Sequence, residues 1–363
     1  MTERCMGKQE SKEVLLGRVG KLSQLGGISS FVSTDGRGKG TSTLRVRTAA
    51  GLEFWVVPDK GMDIYEASFL GKSLCWHSPT GLVHPSYYSS RGLDWLETFA
   101  GGLLTTCGLT TVGVPSTDAG QELGLHGSIS NTSAEHVSWT ETWKDNDCHF
   151  VIKGSVRETS VHGPNMLLDR TISTTLHSKS LTIEDTVENQ GVRNTPLMLL
   201  YHFNFGHPLL TPDSQIIATP IKIDPVDAFS QESVSQWMMF EPPKRNQTER
   251  VYFHDMQRDS DGWVTVVLVQ DRVQADFGIR LSYDATTLPQ LVQWKMTGEN
   301  HFVLGLEPAN CRTLGRLAER QRGTLQTLES GQKRKFKVKV EVLDSAQAVK
   351  AAIQDATISQ NGN

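Results

Sequence analysis

Apolar and polar residues alternate with a period of two along much of this chain, the pattern of half-buried strands rather than helices. Leu181, Ile183, Asp185 and Val187 share one strand face, so one acid stands in line with three apolar side chains. Near the C-terminus Phe336, Val338, Val340 and Val342 alternate with Lys335, Lys337, Lys339 and Glu341, a strand wet on one side. Further strands are predicted over 148–157, 171–176, 263–270, 277–283 and 290–294, and the polar turn His177–Ser180 makes a hairpin of the second of these and the 181–187 segment. Helical period is confined to 90–99 and 345–356. Strands following one another without interleaved helices predict an all-β fold of antiparallel sheets, stacked or closed on themselves.

No linker divides the 363 residues, so one β-sandwich domain is expected over 1–343, with a helical or frayed tail over 344–363. The segment 33–42 reads as a hairpin loop, 242–249 as an exposed polar loop and 354–363 as a frayed end. With 37% hydrophobic and 21% charged residues a core is affordable and disorder is excluded as the dominant state. Lys and Arg number 36 against 40 Asp and Glu, so no positive excess exists to neutralise phosphates, and nucleic acid is not an expected partner. The five cysteines are odd in number and contain no Cys-x-x-Cys pair, which argues for reduced thiols rather than a disulfide framework or a thiolate zinc site. The first ten residues lack the apolar stretch of a secretory signal, and the most apolar run, 196–205, is too short to cross a membrane. A cytoplasmic protein without a membrane partner is the expectation.

Three segments place ionisable side chains inside apolar or glycine-rich sequence, where charge is costly unless paired or used. His126 lies between Leu125 and Gly127. His202 lies in the most apolar strand, where alternation puts Leu200, His202 and Asn204 on one face and Leu199, Tyr201, Phe203 and Phe205 on the other. Glu307 ends the apolar strand His301-Phe-Val-Leu-Gly-Leu-Glu307, just before Pro308. A lone structural histidine and a strand-terminal turn former are the competing readings of His126 and Glu307. Two histidines and a glutamate on separate strands are the minimum set for bifunctional proton transfer without a cofactor.

These residues also carry a resemblance. Leu125-His126-Gly127 with Asn131 and Ala134, then Asn194–Gly206, then Leu304-Gly-Leu-Glu-Pro308, are similar in order and spacing to the galactose mutarotase (aldose 1-epimerase) superfamily. Pro58-Asp-Lys-Gly-Met-Asp-Ile64, Trp76-His-Ser-Pro-Thr-Gly81, Phe99–Leu109 and Glu307-Pro-Ala-Asn-Cys311 resemble its DUF4432 branch. The resemblance spans roughly 50–342. It implies an antiparallel β-supersandwich with a cleft on one sheet face. It further implies His202 as the acid at the sugar ring oxygen, Glu307 as the base at the anomeric hydroxyl, and His126 as a second histidine on the ring-oxygen side. Such a pair would want Glu307 ionised and His202 protonated at neutral pH. The implied activity is interconversion of the α and β anomers of an aldose or an anionic aldose derivative. Alternatives are a carbohydrate-binding protein without turnover and an aldose–ketose isomerase or epimerase in the same cleft.

By residue type Trp76, Asn204, Trp294 and Lys295 suit sugar binding, though Lys295 reads equally as a solvated surface lysine; Arg91, Arg316 and Arg320 are further cationic options, the last two more often solvated charges than ligands. Asp63 is expected to pin a turn through backbone N–H groups, and Cys107 has no basic partner that would make it a nucleophile. The spacings His202/His207 and His77/His84 are not compact metal-ligand pairs, so neither a metal nor a cofactor is expected. The expected partner is a small sugar; a homodimer is compatible with the sequence.

Overall fold

A computed structural model describes residues 10–357. Residues 1–9, on which the reading of a missing secretory signal rests and which include Cys5, lie outside the described residues, as do 358–363 of the tail. The alternating pattern folds into two large antiparallel sheets. The first runs in the order Gly27–Val32, Ser42–Arg47, Leu52–Val57, Asp63–Phe69, Leu104–Leu109, Met198–Gly206, His301–Ala309, Gln290–Gly298, Arg250–Met256, Pro220–Pro225, with Lys72–Ser73 added to Asp63–Phe69. The second runs Glu135–Lys144, Asp147–Thr159, Asn165–Thr175, Ser180–Asn189, Lys333–Leu343, Gly278–Asp284, Trp263–Val269, Gln215–Ile217. The sandwich and its antiparallel pairing agree with the fold expected. Among the described residues no helix is long and apolar enough to cross a membrane.

Period two explains how the layers meet. Leu181, Ile183, Asp185 and Val187 are buried between the sheets, whereas Glu184 is exposed. Leu199, Tyr201, Phe203 and Phe205 face the same core, while Met198 and Leu200 belong to a second apolar cluster on the outer face of the first sheet. All nine residues of Met198–Gly206 are buried, because loops cover that outer face too.

A charged staple crosses the core. Arg170 is fully buried and donates to Asp185 at 2.7 Å, to Asp63 at 3.2 Å and to Thr106 Oγ1 at 2.9 Å; Tyr201 donates its hydroxyl to Asp185 at 2.7 Å. Asp63 accepts from the backbone N–H of Thr106 at 3.0 Å and its hydroxyl at 2.6 Å. It therefore pins a neighbouring strand 43 residues away rather than its own turn, as the sequence reading had it.

Two helix expectations are corrected. Segment 90–99 forms only one 3₁₀ turn, Asp94–Glu97, because its aromatic spacing serves Trp95 and Phe99 in packing onto the sheet. Residues 354–357, read as frayed, complete the helix Ala346–Thr357, whose Val349, Ala352 and Ala356 bury against Val267, Val269 and Leu343.

Candidate active site

The strand pairing brings His202 and Glu307 together. Leu200 pairs with Ala309 and Phe203 with Leu306, which sets His202 opposite Glu307 across adjacent antiparallel strands, close enough for side chains to touch. His202 Nε2 lies 3.2 Å from Glu307 Oε1, and both side chains are almost wholly buried. Gly305 makes this approach possible: a Cβ there would stand 2.5 Å from Glu307 Oε1 and 3.3 Å from His202 Cε1. Glu307 Oε1 and His202 Nδ1 are buried and have no hydrogen-bond partner of good geometry. Buried polar atoms are nearly always satisfied, so these two atoms are available to a ligand or to water in the cleft.

His126 joins them from a loop. Its backbone takes the left-handed conformation, φ 57°, uncommon for a residue with a side chain. Two backbone bonds fix it there, its N–H to the Gly113 carbonyl and its carbonyl from the Gly108 N–H, each 3.0 Å. The Gly113 N–H points at Nδ1 at 3.4 Å, which assigns the proton of the neutral ring to Nε2. The His126 and His202 rings lie 6.0 Å apart, edge to face, and Trp95 packs against His126 at 4.8 Å. All three sequence-expected acid/base residues thus line one cleft of about 480 Å³, within the range of small-molecule sites.

Burial governs the charges. Desolvation lowers His202 to about 3, with His126 adding to it, and lowers His126 to about 4. Desolvation, with Glu249 nearby, pushes the Glu307 carboxyl well above the usual carboxylate range. The ligand-free cleft therefore favours a protonated Glu307 beside a neutral His202. This reverses the expected placement of charge while keeping the same single proton on the pair.

The remaining sequence candidates fall elsewhere. Trp76 is buried behind the cleft, 6.0 Å from Phe99 and 5.9 Å from Trp294, and backs those rings rather than lining the space. Asn204 is fully buried and donates to the carbonyls of Gly102 and His202, at 3.1 and 2.9 Å. Lys295 is buried on the face opposite Trp294, held by the carbonyls of Gln236 and Met239 and by Glu241, so neither a ligand role nor a solvated one fits. Arg316 is buried against Asp118 at 2.7 Å and Gln121 at 2.7 Å, and Arg320 binds the same Asp118 at 2.7 and 2.8 Å. Arg91 is exposed in the loop before Leu93 and does not line the cleft. The wall consists instead of Trp95, Phe99, Trp294 and aliphatic side chains, with Asp227 and Glu249 at the rim. Glu249 accepts from Trp294 Nε1 at 2.7 Å, and Asp227 caps a short helix at the Ser230 N–H. Apart from Trp294 these wall and rim residues were not legible; Trp95 and Phe99 carried a signal, an aromatic pair four residues apart, that reads equally as a helix face.

The chain matches the family model described as a domain of unknown function, DUF4432, over residues 38–342. No curated protein matches it. Its fold is similar to that of a candidate aldose 1-epimerase from Klebsiella pneumoniae, 25% identical, with TM-score 0.88 over 93% of this chain and 88% of that one. A galactose mutarotase-like protein from Clostridium acetobutylicum, 13% identical, aligns with TM-score 0.60 over 88% of this chain and 99% of its own. The galactose 1-epimerase of Lactobacillus acidophilus, 13% identical, aligns with TM-score 0.55 over the same shares.

Proposed function

This chain belongs to the DUF4432 family of the galactose mutarotase (aldose 1-epimerase) superfamily, and from that premise we propose that it interconverts the α and β anomers of an uncharged aldose by acid/base ring opening between His202 and Glu307. The observation that carries this reading is the buried Glu307 carboxyl, 3.2 Å from His202 Nε2 and without a hydrogen-bond partner at Oε1, in a cleft large enough for a sugar.

The chemistry follows from the proton count. An aldose ring is a hemiacetal, so it opens when the anomeric hydroxyl loses its proton and the ring oxygen gains one. Sugar hydroxyls entering the cleft replace water and stabilise the charged arrangement, His202 protonated and Glu307 ionised, out of the neutral pair at no change in protons. Glu307 takes the anomeric proton while His202 delivers its own to the ring oxygen, leaving a free aldehyde. Rotation about C1–C2 and reclosure with the transfers reversed give the other anomer. His126, neutral and protonated at Nε2, supplies a donor on the same side as His202 and no second charge.

The pair works only with one proton on it, and this fixes the pH dependence. A second proton arrives only near the lowered His202 value of about 3, and the single proton is lost only above the raised Glu307 range. The expected kcat/KM profile is level through pH 5 and falls on the alkaline side. An acidic limb centred near 6.5, the free imidazole value, would contradict this arrangement.

Substrate charge follows from the wall. Neither Lys nor Arg lines the cleft, whereas Asp227 and Glu249 stand at its rim, so an anionic sugar would meet like charge on entry and no cation within. Exchange NMR across neutral, uronic and phosphorylated aldoses tests both statements. Faster α/β interchange for neutral aldoses alone is expected. Acceleration confined to anionic sugars would overturn the substrate class, and no acceleration for any aldose would overturn the activity.

A further inference from the structure

Outside the cleft, three metal-ligating side chains meet on the first sheet. Cys75 and His77 are two residues apart, so alternation turns both to one side while Trp76 between them packs into the aromatic cluster. Glu66, from the strand Asp63–Phe69, reaches the same point. Cys75 Sγ lies 3.5 Å from His77 Nε2, and His77 Nε2 lies 3.3 Å from a Glu66 carboxylate oxygen. The three ligand atoms all fall within 4.8 Å of one another.

Hydrogen bonds hold the cluster loosely: besides the His77 contacts, Cys75 Sγ lies 3.8 Å from the carbonyls of Tyr65 and Ala67 and 3.9 Å from Ser73 Oγ. A neutral imidazole nitrogen either donates one proton or accepts one, so Nε2 can serve Glu66 or Cys75 but not both. A tetrahedral zinc ion with its usual bond lengths would separate sulfur from nitrogen by roughly 3.6 Å and nitrogen from oxygen by roughly 3.4 Å. The two observed separations match those edges, and the sulfur-to-carboxylate edge lies within 4.8 Å. The His77 ring is held in place by stacking on Tyr65, centroids 4.9 Å apart and planes 8° from parallel. Side-chain exposures of 37% for His77 and 22% for Glu66 open the cluster to solvent on one side, with Cys75 buried behind them.

We propose that Glu66, Cys75 and His77 form a binding site for a thiophilic divalent transition-metal ion of the zinc type, with an open fourth position. On binding, the Cys75 thiol gives its proton to solvent and the thiolate sulfur bonds the metal; no electron is transferred. The ion ties the strand Asp63–Phe69 to Trp76–His77, whose Trp76 ring backs Phe99 and Trp294 in the cleft wall. Sequence spacing held a signal, since Cys-x-His is a compact ligand pair on a strand. It is neither a Cys-x-x-Cys pair nor one of the His/His spacings.

The full chain, stripped with a chelator and carrying Cys5→Ser so that no terminal thiol competes, is titrated with cobalt(II) and then with zinc(II). One cobalt per chain with thiolate-to-cobalt charge-transfer absorption, displaced by zinc, is expected, together with a higher melting temperature in zinc. Cys75→Ser and His77→Ala should each weaken binding by at least roughly tenfold and remove the melting shift. His77 is exposed, so His77→Ala decides the matter if Cys75→Ser does not fold. Absence of the charge-transfer band in the parent chain, or its survival in His77→Ala, overturns the assignment.

Discussion

Glu307→Gln is expected to lower turnover by roughly 10²–10⁴ while the sugar still binds. The amide keeps the size of the carboxyl in a tight site where Gly305 leaves just enough room, but it cannot take the anomeric proton. His202→Gln should lose rate similarly. The double variant should be little worse than either single one, because the two groups hold one proton and act as a unit. Exchange NMR gives the rate and calorimetry the sugar affinity. Equal loss of rate and affinity would assign Glu307 to binding alone, and a parent chain that binds an aldose without accelerating its anomers would make this a carbohydrate-binding protein. Solvent deuterium appearing at C2 would instead indicate isomerisation or epimerisation.

Arg170→Met is expected to cost about 3–5 kcal/mol of stability, measured by denaturant unfolding at neutral pH. The guanidinium is shared between Asp185 and Asp63, and its removal strands two carboxylates and the Tyr201 hydroxyl between the sheets. Burial already raises Asp63 to about 6 although Arg170 opposes it. Without Arg170 that folded-state value climbs further above its unfolded one. A raised carboxyl binds its proton more tightly when folded, so the deficit should shrink as pH falls from 7 toward 5. A deficit below about 1 kcal/mol, or one that grows on acidification, would show that the network does not hold the sheets together. Tyr201 and Thr106 neighbour His202 and its strand partner Thr105, so the same variant should also slow turnover in the fraction that stays folded.

How much of this was legible depended on whether a property belongs to one strand or to a meeting of strands. Alternation alone put Asp185 on a buried face and separated His202 from Tyr201, and both placements hold in the structure. The same alternation could have excluded an error. Trp294 and Lys295 are consecutive in a strand, so only one of them can face the cleft, and it is Trp294. Arg316 was beyond reach, because its partner Asp118 lies 198 residues away and no local pattern announces the pairing. Asn204 shares the face of His202 as expected, yet its amide is consumed by the carbonyls of Gly102 and His202. The His202–Glu307 contact itself came from motif order rather than from periodicity, since register between distant strands is set by the whole sheet.

The strand Met198–Gly206 is enclosed on both faces, whereas much of the surrounding wall, from Leu93 and Trp95 to Val226, Asp227, Glu249 and Leu314, belongs to loops. A segment so enclosed exchanges its amides only when the whole molecule opens, and loops open far more cheaply. On the proposed function, reaction and recognition are thereby decoupled: insertion or substitution at the rim should change which sugar is accepted while leaving the His202–Glu307 contact in place.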